Sequence, residues 1–278
     1  MKELYDNVSI RCSELTTLTY STSFSIGIRC LAKDLRNPIY SIYGFVRFAD
    51  EIVDSFHDYN KQELLARFKE DAFRSIEAGI SLNPILNSFQ ATVRKYKIEH
   101  SLIDQFLKSM EMDLSVTEHN NTTLNEYIFG SAEAVGLMCL EVFCQGNKQL
   151  YNDLKGYAMH LGAAFQKVNF LRDLQADFIG MGRNYFPGLQ TEAFDDDSKK
   201  KIEHSIKKDL DEGFKGIKKL PRSSRFGVYV AYVYYLALFN KIRNTPSEMI
   251  MNRRISIRRR HKATLLAYSY VKHQLNLI

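Results

Sequence analysis

Residues 47–54 read RFADEIVD and residues 172–177 read RDLQAD. Each places two aspartates four residues apart behind an arginine: Asp50 and Asp54 after Arg47, Asp173 and Asp177 after Arg172. On a helix that spacing is one face, so each pair sets like charges side by side, a repulsion that grows when the face is enclosed. An enclosed pair needs cations, and the neighbouring arginines supply one each. Carboxylate oxygens remain in excess, the donor set that suits Mg2+, with Mn2+ as the alternative, completed by waters and phosphate oxygens. The chemistry this predicts is two facing acidic walls that clamp a diphosphate through metal ions.

The spacing alone is weak. With 16 Asp in 278 residues, chance gives about one such pair, and three occur, at 50/54, 54/58 and 173/177. The surroundings carry the weight. Tyr43, Arg47, Asp50 and Asp54 fall on one helical face, flanked by Ile39, Ile42, Phe45, Val46, Ile52 and Val53. Gln166, Asn169 or Phe170, Asp173 and Asp177 follow the same steps among Leu161, Phe165, Val168 and Leu171. The competing reading, two solvated faces with intrahelical ion pairs, is the commoner fate of a single DxxxD. Two narrow stripes, each with its own arginine and an apolar border, favour enclosed walls.

Long helices must position these walls. Apolar residues recur at three- and four-residue steps and alternating runs are scarce, so the chain reads as all-α. Asn37-Pro38 offers an N-cap and a first-turn proline, predicting a helix from there to about residue 56 that carries RFADEIVD. A second helix is predicted from about 151 to 179, ending at the glycines of IGMGRNYFPG, with RDLQAD in its last two turns. Further helices are expected near 61–78, 83–97, 100–112, 123–144, 198–219, 224–243 and 246–275. HNNTT (119–123), LQTEAFDDDSKK (189–200) and LPRSSR (220–225) read as loops. No stretch resembles a linker between domains, so 1–278 is expected to form one domain.

Apolar residues make up 45% of the chain and charged residues 25%, with only 14 Gly and 5 Pro to interrupt helices. The four cysteines lack zinc-ligand spacing and are expected to be reduced, mostly buried thiols. The N-terminus carries no apolar leader, and the 14-residue run 226–239 falls short of the roughly 20 residues that cross a bilayer. The expectation is a cytoplasmic protein, at most peripheral to the inner face of the membrane. Much of the formal charge of +6 sits in NRRISIRRRHK (252–262). By charge alone this run suits nucleic acid, anionic lipid or a solvated face; no nucleic-acid partner is expected, Arg258 to Arg260 are a candidate membrane-facing patch, and monomer is the default.

YSTSFSIGIRCL (20–31), IYSIYGFVRFADEIVD (39–54), YIFGSAEAVGLM (127–138) and FQKVNFLRDLQADFIGMGRNYFP (165–187) come in an order and spacing that resemble the squalene/phytoene synthase family. The resemblance spans essentially the whole chain and is greatest to bacterial phytoene synthases. It implies an isoprenoid synthase fold, helices around a deep apolar cavity with an aspartate pair on each of two walls. It also implies that Asp50, Asp54, Asn169, Asp173 and Asp177 bind Mg2+. By the same token Arg47, Gln166, Arg172, Arg183, Arg254 and Lys262 would contact diphosphate or position its metals. Ser21, Ser23, Tyr43, Tyr127 and Tyr235 would line the reacting centre. The chain departs from many members in having Thr22 between the two serines, where a lysine is common, Glu133 near the expected cavity floor, and Ala176 in place of a glutamate.

The implied reaction ionises an allylic diphosphate whose leaving charge is stabilised by metal ions and arginines, and holds the carbocation away from water against a second chain. The expected product is phytoene, from two geranylgeranyl diphosphates by way of prephytoene diphosphate, with no NADPH. The alternatives are a squalene or dehydrosqualene synthase acting on farnesyl diphosphate, and a non-enzymatic helical assembly protein, which retention of all four aspartates disfavours.

Overall fold

The computed structural model describes residues 1–180, 182–186 and 194–278. Among them the regular structure is helical, as the apolar spacing predicts, and an isolated parallel bridge joins Glu118 to Asn184. The first half holds α1 (Lys2–Tyr20), α2 (Thr22–Arg29), α3 (Lys33–Ser55), α4 (Lys61–Ala78), α5 (Pro84–Tyr96) and α6 (His100–Ser115). Then come α7 (Asn121–Ile128), a π-helical turn (Phe129–Glu133), α8 (Ala134–Cys144) and α9 (Lys148–Gln175), which runs into a second π-helical turn (Ala176–Gly180). The last helices are α10 (Asp196–Lys219), α11 (Arg222–Arg243), α12 (Ser247–Asn252) and α13 (Arg259–Gln274).

Side-chain caps fix several helix starts. Asn60 accepts from Glu63 N, Asn147 from Leu150 N and Asp195 from Ser198 N, while Asn120 and Thr123 form a reciprocal capping box on α7. Gly79 ends α4 at φ +71°, a left-handed backbone where a side chain would also strike the Arg94 guanidinium.

Two apolar clusters flank the centre. One lies under α3 to α6 and α8, where the Phe45 ring stacks on Phe89 at 3.9 Å. The other joins α9, α10 and α11 through Val168, Leu171, Ile206, Leu210, Phe239 and Ile242.

Several expectations change. Helix α3 begins at Lys33, and Pro38 is buried inside it instead of opening it. Ala32 N donates to Ser223 O at 2.8 Å, so packing against the start of α11 sets the beginning of the helix in place of a side-chain cap. The single helix expected over 246–275 is broken at 253–258, where Ile255 inserts into the core between arginines that repel one another along a helix. The loop expected over 189–200 lies partly outside the described residues, and from Asp196 onward it is α10. The loop expected over 119–123 likewise becomes α7 at Asn121. Among the described residues, Asn121–Cys144, and not the 226–239 run, is the helical stretch long and apolar enough to cross a membrane. Its most apolar 18-residue window is 56% buried inside the protein.

Candidate active site

Helices α3, α8 and α9 each line one cavity of about 720 Å³ over most of their length, and α2, α6, α7, α10 and α11 add to its wall. Tyr43, Arg47, Asp50 and Asp54 enter it from α3, and Gln166, Asn169, Arg172 and Asp173 from α9. Asp177 follows on the π-helical turn, where the widened backbone continues the acidic face beyond the regular helix. Ser21, Tyr127, Arg183, Tyr235 and Arg254 also line the cavity. Of the expected site residues, Ser23 and Lys262 alone are absent from its wall; they meet beside it, where the Lys262 ammonium donates to Thr22 Oγ1 at 2.7 Å and Ser23 Oγ at 2.8 Å.

The two walls face each other. Burial, and next the charge of Asp54, push the Asp50 carboxyl up to about 7. Asp177 is also pushed up to about 7, by burial first, then by Asp173, with Asp54 across the cavity adding to it. Carboxyls that resist ionisation at neutral pH mark a site short of positive charge.

The expected distribution of cations is corrected on the first wall. Arg47 pairs with Glu51 and stands 3.9 Å from Asp50, its guanidinium 4.4 Å from the centre of the Tyr20 ring, and its Nε is buried without a partner. Asp54 instead receives Arg183 Nη1 at 3.0 Å. On the second wall Arg172 pairs with Asp173 as expected, and Arg254 Nε donates to the same carboxylate at 2.6 Å. Burial, and then the nearby Arg172 and Arg259 charges, lower the Lys262 pKa.

Spacing arguments miss a fifth acid. Asp113, in the last turn of α6, lines the cavity and accepts from Tyr127 at 2.9 Å and Tyr185 at 3.0 Å. Burial raises it to about 6 despite Arg183, whose Nη1 lies 3.8 Å away and whose Nη2 donates to the Asp113 carbonyl at 3.1 Å. The signal was an acid between Met112 and Leu114, two residues after Glu111 and on the opposite side of the helix from it. The segment holding Arg183 is pinned by Asn184 N to Thr117 O at 2.8 Å and His119 N to Asn184 O at 3.2 Å.

Behind the acids the wall becomes aromatic. Phe165 stacks on Tyr235 at 3.9 Å, and Phe24 lies 5.7 Å from Tyr235 and 6.0 Å from Tyr43. Tyr235 donates to Asn169 Oδ1 at 3.3 Å, which orients that amide. The Tyr43 hydroxyl is held up to about 12, by burial and then by Asp50, so it stays protonated. Glu133, expected near the cavity floor, is absent from the lining; its carboxyl is raised by burial and by Asp209, beside His160 and Lys167.

Among the described residues no three His, Cys, Asp or Glu side chains could hold a metal ion by themselves. The oxygen donors, two acids on the first wall and two acids with the Asn169 amide on the second, could hold a hard divalent cation if a ligand or water completed the shell.

The model of the squalene/phytoene synthase family matches residues 18–261. The chain is 27% identical over 262 residues to phytoene synthase 1, chloroplastic, of Solanum lycopersicum, covering 87% of this chain and 62% of that protein. It is 29% identical over 170 residues to presqualene diphosphate synthase of Rhodopseudomonas palustris, covering 60% of this chain and 58% of that one. The chain thus spans about three fifths of the length of these curated relatives. The crystal structure of a dehydrosqualene synthase superposes with a TM-score of 0.83 at 20% identity, over 97% of this chain and 98% of that one, a likeness of fold.

Proposed function

Because the chain belongs to the squalene/phytoene synthase family, we propose that it joins two allylic isoprenoid diphosphates head to head, two geranylgeranyl diphosphates giving phytoene without NADPH. One observation carries the reading: two aspartate pairs on separate helices face each other across the mouth of an apolar cavity and repel. Mg2+ or Mn2+ held by Asp50, Asp54, Asn169, Asp173 and Asp177 would supply the charge that neutralises a departing pyrophosphate.

The remaining steps fall to the chain's own groups. Arg183 and Arg254 already reach the acids, and Arg47 lines the cavity 3.9 Å from Asp50. Lys262, held by two hydroxyls beside Arg172, adds positive charge on the α9 side. The stacked rings of Phe24, Phe165 and Tyr235 exclude water and offer π-faces to a carbocation. Tyr43 and Gln166 extend the lining between the acids and the rings. The geranylgeranyl substrate is supported by the match to the tomato phytoene synthase over 87% of this chain.

The test is incubation of the purified protein with geranylgeranyl or farnesyl diphosphate and Mg2+, with and without NADPH, followed by identification of the hydrocarbon. The expected product is C40 and independent of NADPH. Exclusive C30 product overturns the substrate assignment, and no product from either substrate overturns the reaction.

A further inference from the structure

The cavity runs inward from the acids, and α9 gives its length. It is lined on that helix from Leu154 to Asp173, nineteen residues or about 28 Å at 1.5 Å per residue, and Tyr157 stands one turn from the inner end. The other lining residues at that inner end are mainly apolar, among them Leu31, Phe143, Leu154, Ile217 and Leu220. Tyr157 differs from them in carrying a hydroxyl that meets an exposed cation. It is half-buried, its hydroxyl accepts from Lys219 Nζ at 3.1 Å, and the same exposed ammonium lies 4.5 Å from its ring centre.

The ring is held from behind as well. A Cβ at Gly216 of α10 would collide with Tyr157 Cβ, so the glycine is what lets the tyrosine backbone seat this close to α10. One turn earlier, a Cβ at Gly213 would press on Leu161 in the same way. Truncating an apolar floor residue would open space into the packed core. Truncating Tyr157 would instead lengthen the bore toward the position its hydroxyl now shares with the exposed Lys219 ammonium.

We infer that Tyr157 is the stop that limits how long an isoprenoid tail the cavity accepts, a specificity residue that rests on the reading of the cavity as a prenyl-chain site. The test compares wild type with Tyr157→Ala, Tyr157→Val and Tyr157→Phe, using unreactive thiolodiphosphate analogues of C15, C20 and C25 chains and calorimetric binding. The same panel is run as substrates for turnover. The readout is the ratio of affinities for successive chain lengths within each variant, which the folded fraction does not alter, so a partly folded alanine variant still reports.

Tyr157→Ala and Tyr157→Val are expected to shift preference toward the longer chain by about tenfold or more, on the scale of hydrophobic pocket discrimination. Tyr157→Phe, which keeps the ring, is expected to leave the ratio unchanged. Unchanged ratios in both truncations, or a Phe variant that behaves like Ala, overturn the assignment, as does failure of the wild type to bind any analogue. Binding with shifted ratios but no turnover by the wild type leaves this inference standing and removes the proposed reaction.

Discussion

Arg183 and Asp54 lie 129 positions apart in sequence and meet at 3.0 Å at the mouth of the cavity. The arginine side chain is 10% exposed, and it also touches the carbonyls of Val53 and Asp113. One guanidinium thus bridges α3 and α6 from the segment that follows α9, in the fork geometry that a lysine cannot reproduce. Arg183→Ala is expected to destabilise the protein by about 3 kcal/mol, because it strands the buried Asp113 carboxyl and two carbonyls. Arg183→Lys is expected to recover part of this. Urea denaturation measures both, and an unshifted midpoint for the alanine variant refutes the bridging role.

Asp50→Asn and Asp173→Asn each remove one charge from a wall while keeping its shape. Each is expected to lower product formation by about a hundred- to a thousandfold and to raise the Mg2+ concentration needed for half-maximal rate. The measurement is a Mg2+ titration of turnover. Rates equal to wild type at low Mg2+ would remove the acids from the chemistry.

Asp50 and Asp177 hold folded pKa values of about 7, above the ordinary 3.8. A carboxyl raised in the fold contributes stability that is complete below its unfolded value and is lost as pH rises through the folded one. Without metal, stability is therefore expected to fall between about pH 4 and pH 7, and Mg2+ is expected to raise Tm more at about pH 8 than at about pH 5. Thermal melts with chelator and with Mg2+ make the comparison. An equal Mg2+ effect at both pH values would count against the acids as its site.

Gly227 of α11 faces Gly27 of α2 so closely that a Cβ there would lie 2.6 Å from Gly27 O and nearer still to Leu31. Gly227→Ala is expected to cost about 1–3 kcal/mol by overpacking, read as a lowered urea midpoint. Gly156→Ala, exposed inside α9 and meeting no atom within 4 Å, is the control and is expected to raise the midpoint by the helix preference of Ala over Gly, about 0.5–1 kcal/mol.

The sequence revealed the acids more readily than their partners. Both aspartate pairs announced themselves because helical spacing repeats within one element, and the apolar stripes around them read directly as α3 and α9. Helices α1 and α2 did not announce themselves. The buried face of α1 is Ser9, Ser13 and Thr17, packed so tightly that Ser13 Oγ meets Ser88 Oγ at 2.7 Å, and hydrophobic periodicity cannot see a face of small polar groups. Asp113 stayed hidden because no second acid stands three or four residues from it on the same helical face. Arg47 seemed the natural partner of Asp50 and Asp54 by proximity in sequence, yet the fold gave it to Glu51 and brought Arg183 from afar. The break at 253–258 was equally illegible, since Ile255 leaves the helix for a core assembled from other elements.

The reach of the last helices sets an order of events during synthesis. Arg254 finds Asp173 across 81 positions and Lys262 finds Thr22 across 240. At about 5–20 residues per second, a ribosome needs about 4–16 s to travel from the aspartate to its arginine. Through that interval the nascent chain carries both acidic walls while the Arg254 and Lys262 cations are still unmade. For several seconds of its birth the mouth of the cavity therefore relies on Arg47, Arg172 and then Arg183 for positive charge, and the remaining two cations arrive only with α13 and the segment that leads into it.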